Sequence, residues 1–313
     1  DRGHSWRFCS NLPLAQFYNI DVDDRTPWHV GGTIQDWGTT SGPNMLPQNE
    51  GPMLADWRSV GGGEAGDFKY DPAQPGTIDA GEYGGYLTHY NEGSGQYRNI
   101  SIYPANPSGI KPKELQYRFQ WTAPLEISPH DPKVLYYGSQ YLHRTRNNGA
   151  TWEKISPDLT WFPKCCQGGS GEPITRDVTG EEFYSTLYAI TESSLEKGVI
   201  WTGSNDGPFH VSRDNGKTWA NVTPKELQAQ PGGRVAWIDA SAHRRGSAYF
   251  AVYRYLLGDY APYLYRTDDY GKTWTRLTDG KNGIAADEPT RVVREDPDRE
   301  GLLDTPKRVA KAF

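Results

Sequence analysis

The chain has 313 residues with a formal net charge of -6, and 35% of its residues are hydrophobic. The acidic balance excludes a broad electrostatic footprint for nucleic acid, and no apolar run approaches the roughly 20 residues that span a bilayer. Burial must rest on aromatic rings (11 Trp, 20 Tyr, 9 Phe), while 35 Gly and 23 Pro point to many turns and few long helices.

In chain order, the first signal is "DRGHSW" at 1–6, the end of a pattern that recurs. Its copies are "TRNNGATW" at 145–152, "SRDNGKTW" at 212–219 and "TDDYGKTW" at 267–274. An apolar residue follows each aromatic three places on, as in Trp57–Val60, Tyr97–Ile100, Trp152–Ile155, Trp219–Val222 and Trp274–Leu277. A chain opening on Asp1 without Met reads as a fragment, so a missing leader carries no information.

Between these copies lie apolar strand patterns. A first set comprises "FYNIDV" (17–22), "APLEIS" (123–128), "TLYAIT" (186–191), "VAWIDA" (235–240) and "TRVV" (290–293). A second set follows Asp-Pro or Gly: "DPAQPGTIDAG" (71–81), "DPKVLYYG" (131–138) and "EKGVIWTG" (196–203). Each unit therefore reads strand A, turn, strand B, turn, strand C, the Asp-Gly turn, strand D. Four short strands per unit of roughly 50 residues is the signature of a β-propeller blade. The expected fold is all-β, a partial propeller of about five four-stranded blades plus fragments. Blades are expected at roughly 10–60, 61–100, 117–155, 181–222 and 233–277, with another starting at 289, inside a propeller segment of 1–302.

The recurring turn reads as a structural staple. Asp1, Asn147, Asp214 and Asp269 occupy the acceptor place; Gly3, Gly149, Gly216 and Gly271 permit a positive φ; Trp6, Trp152, Trp219 and Trp274 bury a ring between blades. Asn147 can cap a turn but is a poor acid, which favours structure over catalysis. Three Cys residues make no disulfide framework or zinc spacing. Neighbouring Cys165 and Cys166 are either free thiols or a strained vicinal disulfide, and adjacency favours thiols. His143 and His210 sit at equivalent strand C positions and read as packing. No phosphate loop or serine elbow occurs, and no metal or cofactor is expected.

The turn pattern Ser/Thr-x-Asp-x-Gly-x-Thr-Trp resembles the Asp-box, or bacterial neuraminidase repeat, of sialidases, xyloglucanases and the sortilin receptor propeller. "GGTIQDWGT" (31–39), "YGGYLTHY" (83–90), "YRFQWTAP" (117–124), "ISPHDP" (127–132) and "ISPDLT" (155–160) are similar to hallmarks of a group of bacterial propellers labelled glycosyl hydrolase or sortilin-like. The resemblance implies an extracytoplasmic scaffold that binds a polypeptide or glycan at its central mouth. Its alternative is a glycoside hydrolase of xyloglucanase-like type. The tail "DPDREGLLDTPKRVAKAF" (296–313) resembles the N-terminal segment of GTP cyclohydrolase I, with a helix start at Thr305–Pro306. It implies a chimaeric junction near 303 and a fragment without that enzyme's active part.

Sites are expected on the face carrying the B–C turns and the long D–A connections at 39–66, 101–121 and 156–183. Candidates at the mouth are Glu64, Asp67, Arg118, Trp121, Glu182 and Tyr184; the B–C turns add Asp36, Trp37, Tyr83 and Asp206. Aromatic faces stack on sugar rings while carboxylates and Arg fix hydroxyls. Asp36 and Asp206 are the candidate acids for hydrolysis, each weighed against simple turn capping.

Overall fold

The computed structural model describes residues 5, 15–46, 52–168, 183–229, 232–278 and 284–296. Five antiparallel four-stranded sheets follow one another, each with its strands in sequence order. The first holds β1 (Phe17–Val22), β2 (His29–Ile34), β3 (Gly38–Pro43) and β4 (Arg58–Ser59). The second holds β5 (Phe68–Tyr70), β6 (Thr77–Gly81), β7 (Leu87–Asn91) and β8 (Gln96–Asn99). The third holds β9 (Leu125–Ile127), β10 (Leu135–Gly138), β11 (Leu142–Thr145) and β12 (Glu153–Lys154). The fourth holds β13 (Leu187–Glu192), β14 (Ile200–Ser204), β15 (Phe209–Ser212) and β16 (Ala220–Asn221). The fifth holds β17 (Arg234–Ala240), β18 (Ala248–Arg254), β19 (Asp259–Thr267) and β20 (Thr275–Arg276).

Innermost strands β1, β5, β9, β13 and β17 neighbour one another in that order, which makes the five sheets blades of a propeller. The apolar core is divided accordingly into layers between blades. Val60, Phe68 and Ile78 pack between the first two, and Leu87, Ile100, Leu125 and Tyr137 between the second and third. Tyr136, Leu187 and Ile200 fill the next layer. Trp201, Phe209, Val235 and Phe250 fill the fourth, where the Phe209 and Phe250 rings stack at 3.5 Å. Beyond the fifth blade, Val293 packs on Tyr249, Ala251 and Leu264, so 291–295 sits where a further innermost strand would lie.

The recurring turn holds these layers in register. Asp214 Oδ1 accepts from Thr218 N at 2.8 Å, and Thr218 Oγ1 donates to Asp214 Oδ2 at 2.6 Å. Ser212 Oγ accepts from Gly216 N at 2.8 Å. The turn at Thr267, Asp269, Gly271 and Thr273 repeats the set. Asn147 keeps it too, with Thr151 N donating to its side-chain oxygen and its amide donating to Thr151 Oγ1. Trp152 Nε1 donates to Ile100 O at 2.8 Å, Trp219 Nε1 to Ile155 O at 2.9 Å and Trp274 Nε1 to Val222 O at 2.6 Å. The receiving residue is in each case the apolar one that follows the previous unit's aromatic by three.

Gly216 and Gly271 have φ of 86° and 82°, and a Cβ at Gly271 would come 2.6 Å from Val222 Cβ. The glycine is thus demanded twice, by conformation and by the neighbouring blade. Tyr97, at the equivalent aromatic place in the second unit, is 68% exposed instead. Its turn lacks the Asp-x-Gly-x-Thr frame that aims the ring inward. The remaining copy, Asp1, Gly3 and Trp6, and the tail with its expected helix lie outside the described residues.

His143 and His210 are packing groups. Burial lowers the His143 imidazole to about 3 and that of His210 to about 4. His143 sits among the rings of Tyr117, Phe119 and Tyr141 and shares a 2.8 Å hydrogen bond with Ser139 Oγ.

Two outcomes are expected in solution. Gly271→Ala lowers unfolding free energy by on the order of 2 kcal/mol, from the left-handed backbone and the Val222 contact together, as read by denaturant titration. Because both imidazoles take protons more readily unfolded than folded, stability holds above pH 6.5 and falls as pH drops toward about 4. The fall is shallower in His143→Phe, measured by thermal unfolding across that window.

Candidate functional site

The β2–β3 turn is closed by Trp37 N donating to Ile34 O at 3.2 Å. Asp36 takes a left-handed φ of 61°, a conformation that Asp tolerates better than most residues. The turn projects the Trp37 ring into solvent at 78% exposure. Beneath it runs the glycine-rich connection from β4 to β5. Thr39 Oγ1 donates to Gly63 O, and Thr33 Oγ1 and Asn19 Nδ2 donate to Gly66 O, which fixes Glu64 under the turn.

Glu64 Oε2 accepts from Asp36 N at 2.7 Å. Gln35 Nε2 donates to Asp36 Oδ1 at 2.9 Å and to Glu64 Oε2 at 3.1 Å, so the two carboxylate oxygens are no more than about 6 Å apart. Tyr18 OH donates to Gln35 Oε1. The Tyr18 ring lies 6.5 Å from that of Trp121, which stacks on Tyr83 at 5.2 Å and 27°. Asp36, Glu64, Tyr83 and Trp121, drawn from different turns and connections of the sequence, are therefore linked into one cluster through Gln35 and Tyr18, with Trp37 next to Asp36 on the same turn.

Asp67, Arg118 and Asp206 are instead engaged in contacts within the scaffold. Asp67 Oδ2 accepts from Leu125 N at 3.1 Å, across to the third blade, and its Oδ1 accepts from Phe68 N. Arg118 is 5% exposed; it donates to Ser185 O and to Asp158 Oδ2, both at 2.9 Å, and its guanidinium lies 4.4 Å from the Phe162 ring centre. Tyr184 is buried at 7%. Glu182 lies outside the described residues. Asp206 occupies a B–C turn as Asp36 does, yet it is fully buried. Its Oδ2 accepts from Trp161 N and Phe162 N at 3.0 and 3.1 Å, and its Oδ1 from Ser204 Oγ at 2.6 Å. Burial raises its carboxyl above the usual range against those bonds. This environment is that of a loop anchor.

Two members of the cluster, Tyr18 and Gln35, escape sequence reasoning. Tyr18 follows from a bulge in β1, where the register slips between Phe17 and Asn19. The slip turns the ring toward the mouth against strict alternation. Β13 and β17 carry the same slip at Tyr188 and Ala236.

The innermost strands line a cavity of about 550 Å³. Matching strand registers place Asp21, Lys69, Glu126, Thr191 and Asp239 at one level around it. Asp21 Oδ2 accepts from Tyr70 N at 3.0 Å and Asp239 Oδ2 from Glu295 N at 2.7 Å, the same bond between successive blades, which puts Arg294 at the level of Lys69. Burial opposes the charge on Lys69, but Asp67, Glu126 and Asp21 around it hold the ammonium protonated well above its ordinary range. Burial in turn raises Asp21, Glu126 and Asp239. The half-buried Tyr188 phenol is drawn below its ordinary range by Arg234, against its desolvation. Among the described residues no group of three or more His, Cys, Asp or Glu could hold a metal ion.

No family model matches the chain. Over 138 residues, 41% of its length, it is 30% identical to the oligoxyloglucan-reducing end-specific xyloglucanase of Emericella nidulans, of which it spans 16%. It superposes on the GH74 xyloglucanase of Xanthomonas campestris with a TM-score of 0.58 at 18% identity, covering 95% of this chain and 42% of that one. An ancestral GH74 enzyme gives a TM-score of 0.60 at 12% identity, covering 90% of this chain and 33% of that one. The described residues form five blades of a propeller whose fold resembles that of GH74 xyloglucanases, and the chain spans less than half the length of each of these proteins.

Truncation separates the two B–C turn acids. Asp206→Ala strands two amides and a hydroxyl and lowers stability by about 3 kcal/mol. Asp36→Asn, on an exposed turn that Asn tolerates, stays within about 0.5 kcal/mol of the parent. Denaturant titration of both variants measures the contrast.

Proposed function

We propose that the Asp36–Glu64 face binds a xyloglucan-type polysaccharide and that the protein is glycoside hydrolase-like. The carrying observation is a carboxylate pair bridged by one amide, beside an exposed Trp37 and the Tyr83–Trp121 stack. Sugar recognition uses aromatic faces for the apolar side of the ring and carboxylates for its hydroxyls. The retaining arrangement of glycosidase acids needs about 5–5.5 Å, which falls inside the limit set by the Gln35 bridge. The relative named for xyloglucan chemistry supports the polymer chosen. The binding and hydrolytic readings share this face and part only at bond cleavage. The three stapled turns belong with the Asp-box class on this reading, and a polymeric glycan places the protein outside the cytoplasm.

Titration of xyloglucan oligosaccharides followed by tryptophan fluorescence, with reducing-end release assayed in parallel, tests both steps. Trp37→Ala is expected to weaken binding at least about tenfold, the loss of one stacked ring. Asp36→Asn and Glu64→Gln are expected to keep binding and lose release. Parent protein that neither binds nor cleaves the oligosaccharides refutes the assignment; binding without cleavage leaves a lectin-like face and removes the hydrolytic half.

A further inference from the structure

In the connection from β12 to β13, between the third and fourth blades, Cys165 and Cys166 close a short 3-10 turn, Lys164–Cys166. Neither is in a disulfide, and their sulfurs lie 2.9 Å apart. Cys165 is exposed and Cys166 half-buried. The turn is clamped on either side. Upstream, Trp161 N and Phe162 N are held by fully buried Asp206, and the Phe162 ring lies under the Arg118 guanidinium. Downstream, Gln167 is 3% exposed and donates to Ser185 Oγ at 2.8 Å. Arg118 donates to the carbonyl of the same Ser185, so both clamps meet on one residue. Two sulfurs are thereby held side by side at the surface between buried anchors.

We infer that Cys165–Cys166 is a modification site for thiophilic electrophiles, an anchored vicinal dithiol that engages them through both sulfurs. A low-molecular-weight disulfide reacts with the pair in two exchanges. One Cys thiolate attacks a disulfide sulfur, forming a mixed disulfide and releasing the first small thiol. The second Cys, as thiolate, attacks the protein sulfur of that mixed disulfide and releases the other small thiol. The dithiol is oxidised by two electrons and the small disulfide is reduced to two thiols. Proximity makes the second attack intramolecular, so the mixed disulfide does not accumulate. Adjacent Cα atoms are about 3.8 Å apart across a trans peptide, short of the roughly 4.4–6.8 Å that disulfides favour. Ring closure therefore shifts the turn and breaks the Cys166 N to Pro163 O bond, now 3.1 Å. Such a product is readily reduced again, as strained disulfides are. A trivalent arsenical such as phenylarsine oxide takes the same two sulfurs without that constraint: two As–S bonds form, the oxide oxygen leaves as water with both thiol protons, and the arsenic, its oxidation state unchanged, spans the gap.

The test treats the native full chain with phenylarsine oxide and, separately, with oxidised glutathione, followed by intact and peptide mass spectrometry. The expected result is one arsenical per chain on the 165–166 peptide, resistant to a monothiol and released by a dithiol. Glutathione disulfide is expected to remove two hydrogens from that peptide and leave no lasting adduct. Cys165→Ser and Cys166→Ser, on a surface turn, are each expected to slow arsenical capture at least about 100-fold and to retain a stable glutathione adduct on the surviving thiol. Tryptophan fluorescence checks that both variants are folded. A persistent glutathione adduct on parent 165–166, or failure of either reagent to react there through both sulfurs, overturns the inference. Neither outcome bears on the glycan reading, which rests on Asp36, Trp37, Glu64, Tyr83 and Trp121 and not on this turn.

Discussion

The structure depends on an indole N–H reaching across from one blade to a backbone carbonyl of the blade before it. Three times the acceptor is the residue that leaves the outermost strand, at Ile100, Ile155 and Val222. A half-buried carbonyl at a strand end has no ladder partner, so leaving it dry and unpaired would be costly. The indole satisfies it while its ring covers the apolar layer beneath. The carboxylate or amide at the turn, together with the glycine, holds the strand at the angle that makes this reach possible. The blades thus stack through layers of aromatic and aliphatic side chains whose spacing is set at the rim and, on the axis, by Asp21 and Asp239 binding the next blade's amide.

The candidate glycan face follows from the same architecture. Strands end in tight turns at one side of each sheet, and the long connections must return along that side. The connection from β4 to β5 is glycine-rich and lies flat under the β2–β3 turn, where it delivers Glu64 to Asp36. Trp37 remains outside because the turn beneath it is already filled by polar contacts. Asp206 shows the opposite outcome at an equivalent turn. There the returning chain at Trp161 and Phe162 covers the acid and uses up its acceptors. One position in the repeat can therefore serve as a surface group in one blade and as an anchor in another, according to the path of a distant loop.

That contrast marks what was legible in the sequence. Blade number, strand order and the role of Asp214, Gly216 and Trp219 were readable, because a rigid local frame repeats and its residues are chosen by φ and by contact. Asp36 and Asp206 were indistinguishable, since their difference lies in loops some 28 to 45 residues away. Tyr18 was hidden by the β1 bulge, which breaks the alternation that strand reading assumes. The mixed-charge ring on the axis was equally hidden. Asp21, Lys69 and Glu126 become neighbours only when three blades are wound around a common centre.

The indole bond makes the third and fourth blades both giver and receiver through the same parts, since each offers one ring back to the blade before it and one carbonyl to the blade after. Units built this way are interchangeable at the rim, and a gene could lengthen or shorten the wheel by whole repeats without redesigning a joint. The axis forbids such free exchange. Lys69 is answered by acids from its own blade and from the blades on both sides, so shuffling those three would orphan a charge in a confined space. The protein is modular at its circumference and individual at its hub.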